Sequence, residues 1–111
     1  MAENNNKQST WTFLTNHSHV LLCLVNSPKI KMRDIAKKVG ITERAVQKII
    51  SDLRKEGYID REKRGRRNIY HINTEMHLKH PIEEHKSMAD LIQLIYSNGP
   101  YNSESQRKND D

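Results

Sequence analysis

Between Ile35 and Ile49, seven residues fall at spacings that dictate how two helices must meet. Ile35, Ala36 and Val39 share one face of a short helix spanning about 33–39. Gly40 follows where a left-handed residue is wanted after a helix end. Thr42 stands where a cap opens the next helix, about 43–56. Val46, Ile49, Ile50 and Leu53 form its i, i+3, i+4, i+7 stripe. Ala36 has to be small because the second helix crosses there, while Ile41, Val46 and Ile49 pin the pair together. A chance helical hairpin would show two or three of these features. All seven, with Leu53 and Gly57-Tyr58-Ile59 behind them, specify a tight crossed pair.

The rest of the chain supplies what such a pair packs against. A helix is expected from about Asn16 to Asn26, capped by Thr15 or Asn16 and stopped by Ser27-Pro28. Val20 to Val25 nearly encircle it, so it should be largely buried. Ile30 and Met32, two apart, read as a stub of strand over Lys29 to Met32. Tyr58 to Lys63 and Asn68 to Ile72 read as two strands joined by the glycine-bearing turn Arg64-Gly65-Arg66-Arg67. Tyr58 and Tyr70 are expected in the core. An irregular stretch, 73–86, leads to a last helix from about Met88 to Ser97, with Ser87 and Asp90 as a capping box. The fold class is α+β, mostly α: a winged helix-turn-helix, with a three-helix core, a β-hairpin wing and a C-terminal helix. The expected organisation is a polar, disordered tail at 1–10, a winged helix-turn-helix domain at 11–75, a loop and C-terminal helix at 76–97, and a second disordered tail at 98–111.

Charge narrows the partner. The chain carries 19 Lys and Arg against 14 Asp and Glu, a net of +5. From Pro28 to Ile72 the balance is fourteen basic to six acidic residues, so this middle stretch holds +8 and the remainder −3. A concentrated positive middle fits a polyanion. The longest apolar run, Val20 to Val25, is far too short to cross a bilayer. The start, Met1 to Gln8, is polar and unlike a signal peptide. A single cysteine, Cys23, rules out an intrachain disulfide and a multi-cysteine zinc site, and a reducing, cytoplasmic setting fits.

The run from Arg33 to Val46 (Arg-Asp-Ile-Ala-Lys-Lys-Val-Gly-Ile-Thr-Glu-Arg-Ala-Val) resembles bacterial and archaeal MarR/ArsR-type winged-helix regulators. So do Leu53 to Ile59 and Gly65-Arg66-Arg67-Asn68, and the resemblance extends roughly from Leu14 to Ile95. It implies a homodimeric, DNA-binding transcriptional regulator. Two departures stand out. The paired-cysteine metal box of the ArsR sensors is absent from the second helix, and the chain is shorter than a full MarR protein.

The residues themselves outline how double-stranded DNA would be read. At 100° per residue, Arg44, Lys48, Ser51 and Lys55 point away from the buried stripe of the 43–56 helix, with Gln47 at the flank. Such a face can enter a major groove, where Arg suits guanine and Gln suits adenine. Thr42, at the helix start, can offer its hydroxyl or an amide to a phosphate. Lys63, Arg64, Arg66 and Arg67 crowd a turn tip that no core requires, placed to clamp phosphates or enter a minor groove. Met88, Leu91, Ile92 and Ile95 form an apolar stripe expected to pair two copies of the last helix.

Other candidates are weaker. His77, His80 and His85 lie near Glu83 and Glu84, but their spacing is irregular and Pro81 splits it, so a solvated loop is expected and no metal. His17 and His19 face different sides of their helix. Cys23 is expected to be a buried, inert thiol. Nothing pairs a nucleophile with a base, and no phosphate loop or cofactor fingerprint is present, so neither an enzyme nor a cofactor is expected. The competing readings are a DNA-binding role in plasmid partition or replication, and an RNA-binding or protein-docking winged helix.

Overall fold

The first helix begins at Thr15, whose side chain accepts the Ser18 amide proton at 3.3 Å. The computed structural model describes residues 10–97, so both tails lie outside it, Thr10 excepted. Helix α1 (Asn16–Asn26) buries Val20, Leu21, Leu22 and Leu24, with Cys23 and Val25 partly covered, matching its near-continuous apolar girdle. Cys23 is thus half-buried rather than fully enclosed, and desolvation raises its thiol pKa, which keeps it protonated.

The expected strand stub does not form. Pro28 and Lys29 make a turn, and Ile30 donates its amide to Ser27 at 3.0 Å. Met32 already belongs to α2 (Met32–Val39), whose first amides, Asp34 and Ile35, take the Lys31 carbonyl at 2.9 and 3.0 Å. Pro28 has no amide proton to give a ladder. What survives of strand pairing is one bond, from the Tyr70 amide to the Pro28 carbonyl at 3.1 Å.

Gly40 closes α2 with φ 85° and ψ 36°, a conformation that costs most side chains. The amides of Gly40 and Ile41 both reach the Ala36 carbonyl, at 2.8 and 3.1 Å, and the chain turns sharply into the next helix. Helix α3 (Glu43–Lys55) opens on Thr42, whose side chain accepts the Ala45 amide proton at 3.0 Å. Its stripe, Val46, Ile49, Ile50 and Leu53, is buried against Leu21 and Leu24 of α1 and Ile35 and Ala36 of α2.

Strands β1 (Ile59–Arg64) and β2 (Arg67–Ile72) pair antiparallel from Ile59 opposite Ile72 to Arg64 opposite Arg67. Gly65, at φ 61°, and Arg66 make the two-residue turn. Ile59, Tyr58 and Tyr70 enter the core, as expected of both tyrosines.

The segment after β2 is pinned to the domain. The Tyr58 hydroxyl donates to the His77 carbonyl at 2.9 Å, and the Leu78 amide to the Lys86 carbonyl at 2.9 Å. Helix α4 (Met88–Tyr96) starts with the expected capping box: Ser87 accepts the Asp90 amide proton and Asp90 accepts that of Ser87. That bond from the Ser87 backbone is the main reason the Asp90 carboxyl sits below its ordinary pKa.

The apolar stripe of α4 divides. Met88, expected at a dimer contact, is only 5% exposed and belongs to this chain's own core. Leu91 and Ile92 pack partly against that core, and the Tyr96 hydroxyl donates to the Leu22 carbonyl at 2.9 Å. The short 73–87 connection, with amides of Met88 and Ala89 bonded to the carbonyls of Met76 and Thr74, leaves α4 little choice but to lie back on α1. Leu94, 74% exposed, and Ile95, 37% exposed, are the large apolar side chains that α4 leaves outward.

Candidate nucleic-acid interface

Burying one stripe of α3 forces its other face outward. Arg44, Gln47, Lys48, Ser51 and Lys55 are all exposed, as the 100° arithmetic requires. Thr42 is exposed at the N-terminus; its oxygen is occupied by the helix cap, which leaves its hydroxyl proton for an outside acceptor. The α3 amides that precede the first helical bonds point the same way.

Lys63, Arg64, Arg66 and Arg67 are exposed at the wing tip, around an exposed Gly65. Arg64 lies directly opposite Arg67 in the ladder. Like charges in that position destabilise a hairpin.

Two of these ten residues are held by ion pairs with neighbouring carboxylates. The Lys48 ammonium donates to Asp52 Oδ1 at 2.9 Å, and the other oxygen of Asp52 meets Nε2 of His17 on α1, also at 2.9 Å. The Arg64 Nε donates to Glu62 Oε2 at 2.8 Å, and Glu62 Oε1 meets Nε2 of His71 at 2.8 Å. The hydrogen bonds from His17 and then Lys48 hold the Asp52 carboxyl below its ordinary pKa. Those from His71 and then Arg64 do the same for Glu62. The Lys48–Asp52 pair follows an i, i+4 spacing visible in the sequence. The Glu62–His71 pair follows from the register, since Glu62 sits opposite Ile69, two residues from His71 on the same face. The His17–Asp52 pair needs the packing of α1 on α3 and has no local signal.

His77, His80 and His85 do not converge. His77 Nδ1 bonds the Glu84 carbonyl at 2.8 Å and His80 Nδ1 accepts the Ile82 amide proton at 3.1 Å. Among the described residues, no three His, Cys, Asp or Glu side chains gather as metal ligands. No helix of the described residues is long and apolar enough to cross a membrane.

Residues 14–60 match the sequence profile of a family described as winged helix-turn-helix DNA-binding. No curated protein matches the chain. Among solved structures, the chain is similar to the PcaV transcriptional regulator from Streptomyces coelicolor, at 24% identity and a TM-score of 0.46, over 53% of this chain and 46% of that one. A second structure of that regulator, with its natural ligand, aligns over 94% of this chain and 75% of that one at 16% identity and a TM-score of 0.47. The zinc-dependent MarR family regulator AdcR, in its Zn(II)-bound state, aligns at 25% identity and a TM-score of 0.43, over 59% of this chain and 47% of that one. In two of these alignments the chain spans about half the length of the other protein. The crossed helices α2 and α3, braced by α1 and followed by a basic β-hairpin, are a winged helix-turn-helix, matched over 14–60 by the DNA-binding winged-helix profile.

Proposed function

We propose that the chain is a sequence-specific, double-stranded-DNA-binding transcriptional regulator of the MarR type, acting as a homodimer in the cytoplasm. Helix α3 enters the major groove, and the wing lies on the backbone or in the adjacent minor groove. The observation that carries this reading is the pairing of an exposed Arg44–Gln47–Ser51–Lys55 face on α3 with an exposed cluster of four cations at the wing tip. The first set suits base edges and the second suits phosphates. The roles are chemically distinct, and both are needed for selective binding.

The wing is tested by salt. Each Arg that meets a phosphate displaces condensed counterions and contributes about 0.9 to the slope of log affinity against log salt. Arg66→Ala with Arg67→Ala is therefore expected to weaken binding to every duplex and to flatten that slope by about 0.9 for each phosphate left without its arginine. A salt titration on two duplexes differing only in their flanks checks this. Unchanged affinity and slope on both would remove the wing from the interface. A larger loss on the A·T-rich flank would move it into the minor groove.

The homodimer rests on Leu94 and Ile95, the apolar residues that α4 leaves exposed. Leu94→Glu with Ile95→Glu is expected to give monomers with an intact fold, and to weaken binding to a paired half-site far more than to a single one. Analytical ultracentrifugation reads the first result. A wild-type monomer at high micromolar concentration would exclude this interface.

A further inference from the structure

The two cations tied down at the proposed interface, Lys48 on the reading helix and Arg64 on the wing, are held in the same way. Each donates to one oxygen of a carboxylate whose other oxygen bonds Nε2 of a histidine: Lys48–Asp52–His17 at 2.9 and 2.9 Å, and Arg64–Glu62–His71 at 2.8 and 2.8 Å. We propose that Asp52 and Glu62 are positioning residues that restrain these two DNA-facing cations, and that protonation of His17 and His71 releases them, so that DNA binding tightens as pH falls. The proposal rests on the DNA-binding reading above.

The chemistry follows from what each atom can do. An ionised carboxylate only accepts, so Nε2 carries the hydrogen in each pair whether the ring is neutral or charged. The proton taken up in acid goes to Nδ1, and the hydrogen bond stays in place. What changes is charge. With a neutral imidazole, each carboxylate is balanced by its Lys or Arg alone, and the trio is neutral. With an imidazolium, the carboxylate is balanced by the histidine, and the trio carries +1. The lysine or arginine then loses part of the attraction that holds it and gains a phosphate instead. By linkage, DNA that favours the charged trio must also favour proton uptake. Histidine is the side chain whose ordinary pKa makes this switch near neutral pH.

The surroundings favour this sign. His17 faces Asp52 of α3 with its partner Lys48, Glu56 just beyond the end of α3, and Lys79 of the 73–87 segment. Lys79 is itself bonded to Glu56, so the net field there is set mainly by Asp52 with Lys48. His71 lies opposite Asp60 and beside Glu62 and Arg64 of β1, and shares its face of β2 with Arg67. From the other side α1 and α4 bring Leu24, Val25 and Ile92. Both histidines are exposed, so protons reach them freely. His19 is different: its Nδ1 bonds Asn16, with no carboxylate between it and a cation.

The test is fluorescence anisotropy of the full chain on a mixed-sequence duplex of about 30 base pairs, at fixed ionic strength, between about pH 7.5 and 5.5. Wild type is expected to tighten severalfold over this range, as suits two exposed ion pairs. His17→Gln with His71→Gln keeps a donor to each carboxylate but cannot charge; it should lose most of the pH-dependent change. His19→Gln with His85→Gln should keep the wild-type profile, which separates the two trios from the general effect of acid on histidines. Equal pH profiles for wild type and the His17/His71 variant would overturn the proposal while leaving DNA binding intact. No binding to any duplex at either pH would remove the DNA reading and this proposal with it.

Discussion

Ile35→Ala is expected to cost about 2–5 kcal/mol of folding stability, the range for removing three buried carbons from a packed core. Ile35 has no solvent exposure and sits where α1, α2 and α3 meet. Its neighbours there, Leu21, Leu24, Val46 and Ile49, are themselves buried and held by helix geometry, so the gap cannot collapse fully. A small domain has about 5–15 kcal/mol in total, so the variant loses a large share of its stability. Ile35→Val, which removes one carbon, should cost about 0.5–1.5 kcal/mol. Urea denaturation followed by circular dichroism measures both. A loss under about 1 kcal/mol for the alanine variant would place Ile35 outside the crossing of the helices.

Arg44→Ala and Gln47→Ala are expected to cost about 1–3 kcal/mol each in binding to a preferred duplex, and much less on random sequence. Both side chains are exposed on the first two turns of α3, the part of such a helix that lies nearest base edges. Neither takes part in a salt bridge among the described residues, so their loss should leave the fold unchanged. Lys48→Ala should behave differently. Its ammonium is already shared with Asp52, so its removal should weaken all duplexes by a small, similar factor. Anisotropy titrations on preferred and scrambled duplexes separate the two patterns. Equal losses of Arg44→Ala on both would reduce Arg44 to a phosphate contact.

The sequence was most informative where one residue type answers one physical need. Gly40 had to be left-handed, Thr42 and Ser87 had to cap, and the 3.6-residue stripe of α3 had to be buried; each is so. The ends of α1, α3 and α4 fall within a residue of those expected for the same reason. It was least informative where the outcome depends on which distant surface arrives. Ile30 and Met32 alternate like a strand, yet the Lys31 carbonyl is taken by the first turn of α2 and Pro28 cannot donate. Met88 to Ile95 shows a stripe that would fit a partner helix or the chain's own α1. The amides of Met88 and Ala89, fixed to Met76 and Thr74, direct Met88 inward. The exposure of the ten proposed contact residues followed from helical phase and the hairpin turn. The contact of His17 with Asp52 did not, because the two are 35 residues apart and meet only when α1 packs on α3.

Selection of bound duplexes from a random-sequence library by the wild-type chain, with double-stranded RNA as competitor, tests the central claim most directly. The account predicts enrichment of a motif with two half-sites about one helical turn apart. Bases that Arg and Gln can read should stand at the core of each half-site, and RNA should compete poorly. Recovery of unselected sequence, or displacement by double-stranded RNA as readily as by DNA, would contradict a reading helix in the major groove.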